Sequence, residues 1–360
     1  MVTADEATNR KRRIRRAGAV VLVVVIVAAL PQFRTRVRAA VTLADALGVP
    51  VPRPFAADVV PERAAFDGVD GRLYDSGDRP LLIVPGAAAA GVEDARVNSV
   101  AAALARSGHR VFIPELDLYG EKLTEADLER IVAAVTELAR QSSGPVTVLG
   151  ISYGGALSLI AAADDRLEGK IGRLATFGAY FDLRGLIQAI TTGRSLVDGE
   201  IIPWDGHPLA RSVLEARIAS LLPEPERTDL IEALGGDVSR GDLGESSQAV
   251  FDLLSNQDPA RTYELADAVP PEVRDFLIRF SPSTTAGQIP MPVAALHSTD
   301  DPLVPYGELR RLHESLPDAR VTTVGLFEHV DFDANSPGEW LAVAPDLLRL
   351  WGYTTWLMSG

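Results

Sequence analysis

The sequence predicts an α/β fold, a mostly parallel twisted sheet with helices on both faces, and three observations carry that prediction. Unbroken apolar runs recur at residues 80–85 (PLLIVP), 145–151 (PVTVLGI) and 292–297 (PVAALH), the pattern of strands buried on both faces. Segments of helical period lie between the strands. From Tyr180 to Pro290 the alternation stops, and helical segments follow one another with little strand signal.

In chain order, residues 17–30 (AGAVVLVVVIVAAL) carry no polar side chain, and six cationic residues precede them between Arg10 and Arg16. As a helix this run spans about 21 Å, or about 25 Å with Pro31 to Phe33, against a hydrocarbon core of about 30 Å. Three readings compete: an uncleaved signal-anchor helix over 17–33, a cleaved secretory signal using the small residues Val27-Ala28-Ala29, and a buried helix of the body. We favour the first. Six positive charges before the run and three after it predict a basic cytoplasmic arm over 1–16, one N-terminal span, and a membrane-anchored body outside the cytoplasm. Residues 33–47 have the pattern of a short amphipathic helix, and 48–54 are proline-rich, so 34–61 is expected to be a juxtamembrane helix and linker.

The body follows. Residues 63–66 and 72–74 predict a hairpin, 80–85 a strand, 94–106 a helix and 110–114 a strand. Thr124-Glu125-Ala126-Asp127 resembles a capping box and opens a helix through Arg140. Strand 145–151 leads into a helix to Ala163, and 173–177 is the next strand. Helical segments at 209–222, 228–234, 249–254 and 271–280 make 181–290 a helical cap, since long insertions of this kind usually cover a site. Strand 292–297, a helix around Leu309, strand 321–327 and a last helix complete the core, 62–180 with 291–358. That last stretch holds three of the four tryptophans and is expected to pack on the sheet in preference to lying on a membrane.

Composition narrows the chemistry. The chain has 360 residues, 47% of them hydrophobic, enough for a sizeable core. There is no cysteine, which excludes disulfides, thiolate metal sites and cysteine nucleophiles. Beyond residue 40 there are 26 basic and 47 acidic side chains, with no basic stripe, so nucleic acid is not expected as a partner. No H-E-x-x-H or comparable cluster points to a metal, and no cofactor is expected.

The strongest chemical signal is Gly150-Ile151-Ser152-Tyr153-Gly154, a G-x-S-x-G pattern where a buried strand gives way to a helix. A sharp turn there lifts the serine oxygen above the sheet, and Gly150 and Gly154 leave room where backbones come close. A serine needs an adjacent base, and the base needs an orienting acid. His329, on a loop after the last strand, is the best placed of five histidines. His297 falls within a strand, His109 begins one, His313 lies on a helix and His207 lies in the cap. Asp300 and Asp301 both follow strand 292–297, and either can supply the acid.

These residues make the chain resemble the α/β-hydrolase superfamily over roughly residues 62–358. The order serine, acid, histidine matches, as does the position of the cap between the sixth and seventh core strands. The D-x-x-V-P run starting at Asp301 matches a habit of that family and favours Asp301 over Asp300. The family's oxyanion loop often begins His-Gly, whereas here Pro85-Gly86-Ala87 occupies the position. Backbone N–H groups do the stabilising, so Ala87 and Tyr153 remain the expected donors.

The resemblance implies that Ser152 attacks a carbonyl, His329 relays the proton and Asp301 holds the imidazole, through an acyl-enzyme. The expected activity is an esterase- or lipase-like serine hydrolase taking a small-molecule or lipid-like acyl substrate. A thioesterase, peptidase or acyltransferase would use the same residues, and a non-catalytic binding module is the alternative from another class. Thr191-Thr192-Gly193-Arg194 is read as a plain turn in preference to a carboxylate site.

Overall fold

The computed structural model describes residues 31–49, 51, 58–87, 90–120, 123–325 and 337–359. The first described element is helix α1 (Pro31–Ala46), followed by β1 (Glu62–Phe66), β2 (Val69–Asp75) and β3 (Arg79–Val84). Helix α2 (Ala95–Arg106) leads to β4 (His109–Pro114), α3 (Glu125–Arg140) to β5 (Val146–Ile151), and α4 (Tyr153–Ala162) to β6 (Ile171–Phe177). Then come α5 (Leu183–Thr192), the hairpin β7 (Arg194–Val197) and β8 (Glu200–Pro203), α6 (Pro208–Ala219), α7 (Glu226–Gly235), α8 (Glu245–Leu254), α9 (Thr262–Ala268) and α10 (Pro271–Arg279). The chain closes with β9 (Val293–Ser298), α11 (Gly307–Ser315), β10 (Arg320–Val324) and α12 (Pro337–Leu357).

Eight strands form one sheet in the order β1-β2-β4-β3-β5-β6-β9-β10. The pairs β1–β2 and β2–β4 are antiparallel, and all the others are parallel. The apolar runs alternate between two layers. On β3, Leu82 and Val84 join the cluster formed with α3, α4, α11 and the inserted helices. Leu81 and Ile83 face the other way, into a cluster with α1, α2 and α12. Period-2 geometry with both faces covered is why these strands read as unbroken apolar runs.

Four features differ from the sequence reading. First, the expected membrane-anchored localisation is corrected: among the described residues no helix is long and apolar enough to cross a membrane. Residues 17–30 lie outside the described residues. Pro31 to Phe33, assigned to the anchor, begin α1, whose next turns carry Arg34, Arg36 and Arg38. Second, α1 is seated against the body. Ala39 and Thr42 are buried, the Trp351 indole donates to the Arg36 carbonyl at 2.8 Å, and Arg106 pairs with Asp45 at 2.7 Å. Third, the insertion carries a two-stranded sheet, β7–β8. Its tip is Asp198-Gly199 with φ of 50° and 83°, the left-handed pair that a tight hairpin turn requires. Fourth, β10 ends at Val324, and residues 326–336 lie outside the described residues.

Candidate active site

Ser152 stands between β5 and α4 with φ 52° and ψ −126°, a conformation that strains any residue with a side chain. Neighbouring backbone holds it there. Its N–H donates to the Phe177 carbonyl at 2.7 Å, and the Gly155 N–H returns to the Ser152 carbonyl at 2.9 Å. A β-carbon on Gly86 would lie 2.8 Å from that of Ser152, so the segment after β3 runs directly beside the serine. A β-carbon on Gly150 would sit 2.5 Å from Gly155 Cα, and one on Gly154 would run into the carbonyls of Val84 and Pro85. Three chain segments therefore converge with no space for a methyl group.

Asp301 follows β9 by three residues, at the same edge of the sheet. Its Oδ1 accepts from the N–H groups of Leu303 (2.8 Å) and Val304 (3.0 Å), the turn geometry an aspartate favours. Its Oδ2 faces Gly178, where a β-carbon would be 3.3 Å away. The Phe177-Gly178 backbone thus separates the serine from the carboxylate: one residue accepts from Ser152, and the next lies against Asp301. The Asp301 side chain is 11% exposed. Asp300 is exposed, its carboxylate accepting from the Thr299 hydroxyl at 3.4 Å.

His329 lies outside the described residues. The Val324 carbonyl at the end of β10, five positions before His329 in the sequence, accepts from the Thr299 N–H at 2.9 Å, two residues before Asp301. Of the four other histidines, His297 is buried with its Nε2 2.9 Å from the Val304 carbonyl and 3.7 Å from Asp301 Oδ2. A carbonyl only accepts, so Nε2 carries the hydrogen. Burial lowers the pKa of His297 against the opposing pull of Asp301, so it is held neutral beside the acid. His109 is pushed down to about 4 by burial, and His207 caps α6 by accepting from Leu209.

Ala87 and Tyr153 share a cavity of about 20 Å³ with Leu118, Leu123, Leu214 and Phe276. The last two come from α6 and α10, so inserted helices close over the expected oxyanion residues. Asp127 braces the wall that carries Leu118. Its fully buried carboxylate accepts from the N–H groups of Asp117 (2.7 Å) and Leu118 (3.0 Å), and the sequence had given it only a capping role.

Three further residues join the insertion to the acid turn, and none was visible in the sequence. The Trp204 indole donates to the Asp301 carbonyl at 2.9 Å, and the His207 N–H donates to the Pro302 carbonyl at 2.7 Å. Glu308, fully buried at the start of α11, accepts from the N–H groups of Phe181 (2.8 Å) and Asp182 (2.7 Å), with Arg311 at 3.3 Å. Burial raises its pKa to about 7, partly countered by Arg311 and the two N–H donors. The 191–194 run, read as a plain turn, is instead the end of α5 and the start of β7: Gly193 is the left-handed cap between them, and Arg211 donates to the Ile190 and Thr191 carbonyls at 3.0 and 3.1 Å.

A family model described as the alpha/beta hydrolase family matches residues 81–344. No curated protein matches the chain. Among solved structures, an alpha/beta hydrolase from Penicillium sp. sh18 shares 16% identity over 84% of this chain and 100% of its own, with a TM-score of 0.49. A puromycin-hydrolyzing peptidase of Mycobacterium tuberculosis shares 15% identity over 84% of this chain and 40% of its own, with a TM-score of 0.48. Pyrococcus horikoshii acylaminoacyl peptidase shares 13% identity over 84% of this chain, with a TM-score of 0.43, and this chain spans 41% of that protein's length.

Proposed function

Because the chain belongs to the alpha/beta hydrolase family, we propose that it is a serine hydrolase cleaving an ester-type acyl bond, with Ser152 as nucleophile, His329 as general base and Asp301 as the orienting acid. Ser152 Oγ attacks the carbonyl carbon as its proton passes to His329. The backbone N–H groups of Ala87 and Tyr153 receive the developing oxyanion. His329 then protonates the leaving oxygen, and water releases the acyl group from Ser152 by the reverse sequence.

The observation that carries this reading is the strained Ser152 conformation at a strand end, with the Asp301 carboxylate on the far side of Phe177-Gly178. Strain of this kind costs about 1–3 kcal/mol and concentrates at functional positions. The lining beside Ala87 and Tyr153 is apolar apart from Arg217, and its exposed surface suits an uncharged acyl group. Its 20 Å³ holds little more than one water-sized group, so a longer chain enters by displacing Leu214 and Phe276. In this role residues 181–290 act as a lid.

The test is labelling by a fluorophosphonate probe. The wild type is expected to label, and Ser152→Ala and His329→Ala to fall to background. A folded wild-type protein that never labels would overturn the hydrolase reading in favour of a binding module.

A further inference from the structure

The Asp301 carboxylate is aimed by its own turn. With Oδ1 committed to the Leu303 and Val304 N–H groups, the direction of Oδ2 follows the backbone of residues 301–304. That backbone offers its carbonyls at Asp301 and Pro302 to the insertion, and both are taken. Trp204 Nε1 donates to the first at 2.9 Å and the His207 N–H to the second at 2.7 Å. The tryptophan is itself fixed. Its main-chain N–H donates to the Gly193 carbonyl at 2.8 Å, its half-buried ring packs on the core, and Gly206 lies so close that a β-carbon there would enter the ring. The hairpin adds a third hold on the same stretch, since a β-carbon on Gly307 would run into Ser195 and Leu196 of β7.

We propose that Trp204 is a positioning residue for the catalytic acid: its indole N–H fixes the Asp301 turn, so that the inserted hairpin is part of the triad's frame as well as of the lid. This rests on the hydrolase reading, because only then does Asp301 orient a base. Phenylalanine keeps most of the ring and loses the donor.

The test uses the full chain carrying Trp204→Phe or Gly206→Ala, each alone and combined with Asp301→Asn, with probe-inactivation rates and p-nitrophenyl ester kinetics. Losing one hydrogen bond of this kind corresponds to about a three- to tenfold effect. Trp204→Phe is therefore expected to lower kcat and the inactivation rate by that factor with KM within about twofold, and Gly206→Ala, which pushes the ring aside, to act in the same direction. In the Asp301→Asn background neither substitution should change the residual rate, because the group through which Trp204 acts is gone. The same fold-loss with and without Asp301, a loss confined to KM, or no loss in a variant with unchanged melting temperature would overturn the proposal. An unlabelled wild type would sink the hydrolase reading first, before any variant is compared.

Discussion

The turn at Ser152 is held by main chain pressed against main chain. Gly86, Gly150 and Gly154 leave no space for a methyl group, and the nearest atoms belong to the core. The turn at Asp301 is held by hydrogen bonds from residues about a hundred positions earlier in the chain, on the insertion: Trp204 and His207 on its carbonyls, and the Phe181 and Asp182 N–H groups on Glu308 a few residues on. Close backbone approach dominates at the first turn, and directed bonds from the insertion dominate at the second. Of the two turns, the one at Asp301 is thus the more dependent on the insertion, and a buried carboxyl with a pKa raised to about 7 stands beside its supports.

The comparison breaks most severely at Gly154. Gly154→Ala drives a methyl group into the carbonyls of Val84 and Pro85, and backbone cannot give way cheaply. A loss of about 3 kcal/mol or more in urea unfolding is expected, together with loss of probe labelling. A variant as stable as the wild type would show that the turn has slack.

The acid side gives the next largest effect, through Glu308. Its folded pKa of about 7 lies above the value of about 4.3 in an unfolded chain, so the folded state holds the proton longer. The contribution is then complete below pH ~4.3 and is lost as pH rises through about 7. Glu308→Gln cannot titrate, so its stability relative to the wild type should rise by up to about 3 kcal/mol between pH 5 and 8, read from paired denaturation midpoints. A gap between the two proteins that ignores pH would mean that Glu308 stays ionised.

Ser152→Gly sharpens the serine side. Glycine adopts φ 52° freely, so the variant should lose all labelling yet gain about 1 kcal/mol of stability. Inactivity with no gain would place the strain elsewhere. The smallest effect is at the hairpin tip, where Arg310 meets Asp198 at 2.7 Å with side chains 29% and 58% exposed. Arg310→Ala should stay within about 0.5 kcal/mol. A larger loss would make the tip a further anchor of the acid turn.

The same contrast explains what could be read from the sequence. Backbone packed by exclusion leaves a local trace, because each glycine marks its own close approach, and strands covered on both sides leave apolar runs. The sheet and the serine turn were legible for that reason. Asp198-Gly199 was an available hairpin signal, but β8 is exposed at every position, including Ile201 and Ile202, so no alternation supported it. The bond from Trp204 to Asp301 spans 97 residues and follows from no spacing. Glu308 sits in GELRRLHES, a stretch that reads as solvent-facing, and the N–H groups of Phe181 and Asp182, far away in the sequence, are what explain its burial beside Arg311.

Helix α1 has a consequence for how the protein is made and cut. It covers the sheet face shared with α12, and the Arg36 carbonyl takes its bond from Trp351, 315 residues later. At ordinary translation speeds that partner emerges tens of seconds after α1, on the order of 5–20 residues per second, so the helix meets α2 and Arg106 long before α12 completes its seat. Removing the apolar run by trimming at residue 40 would also strip this cover and leave the Trp351 indole without its acceptor. A cut just before Pro31 keeps the seat filled.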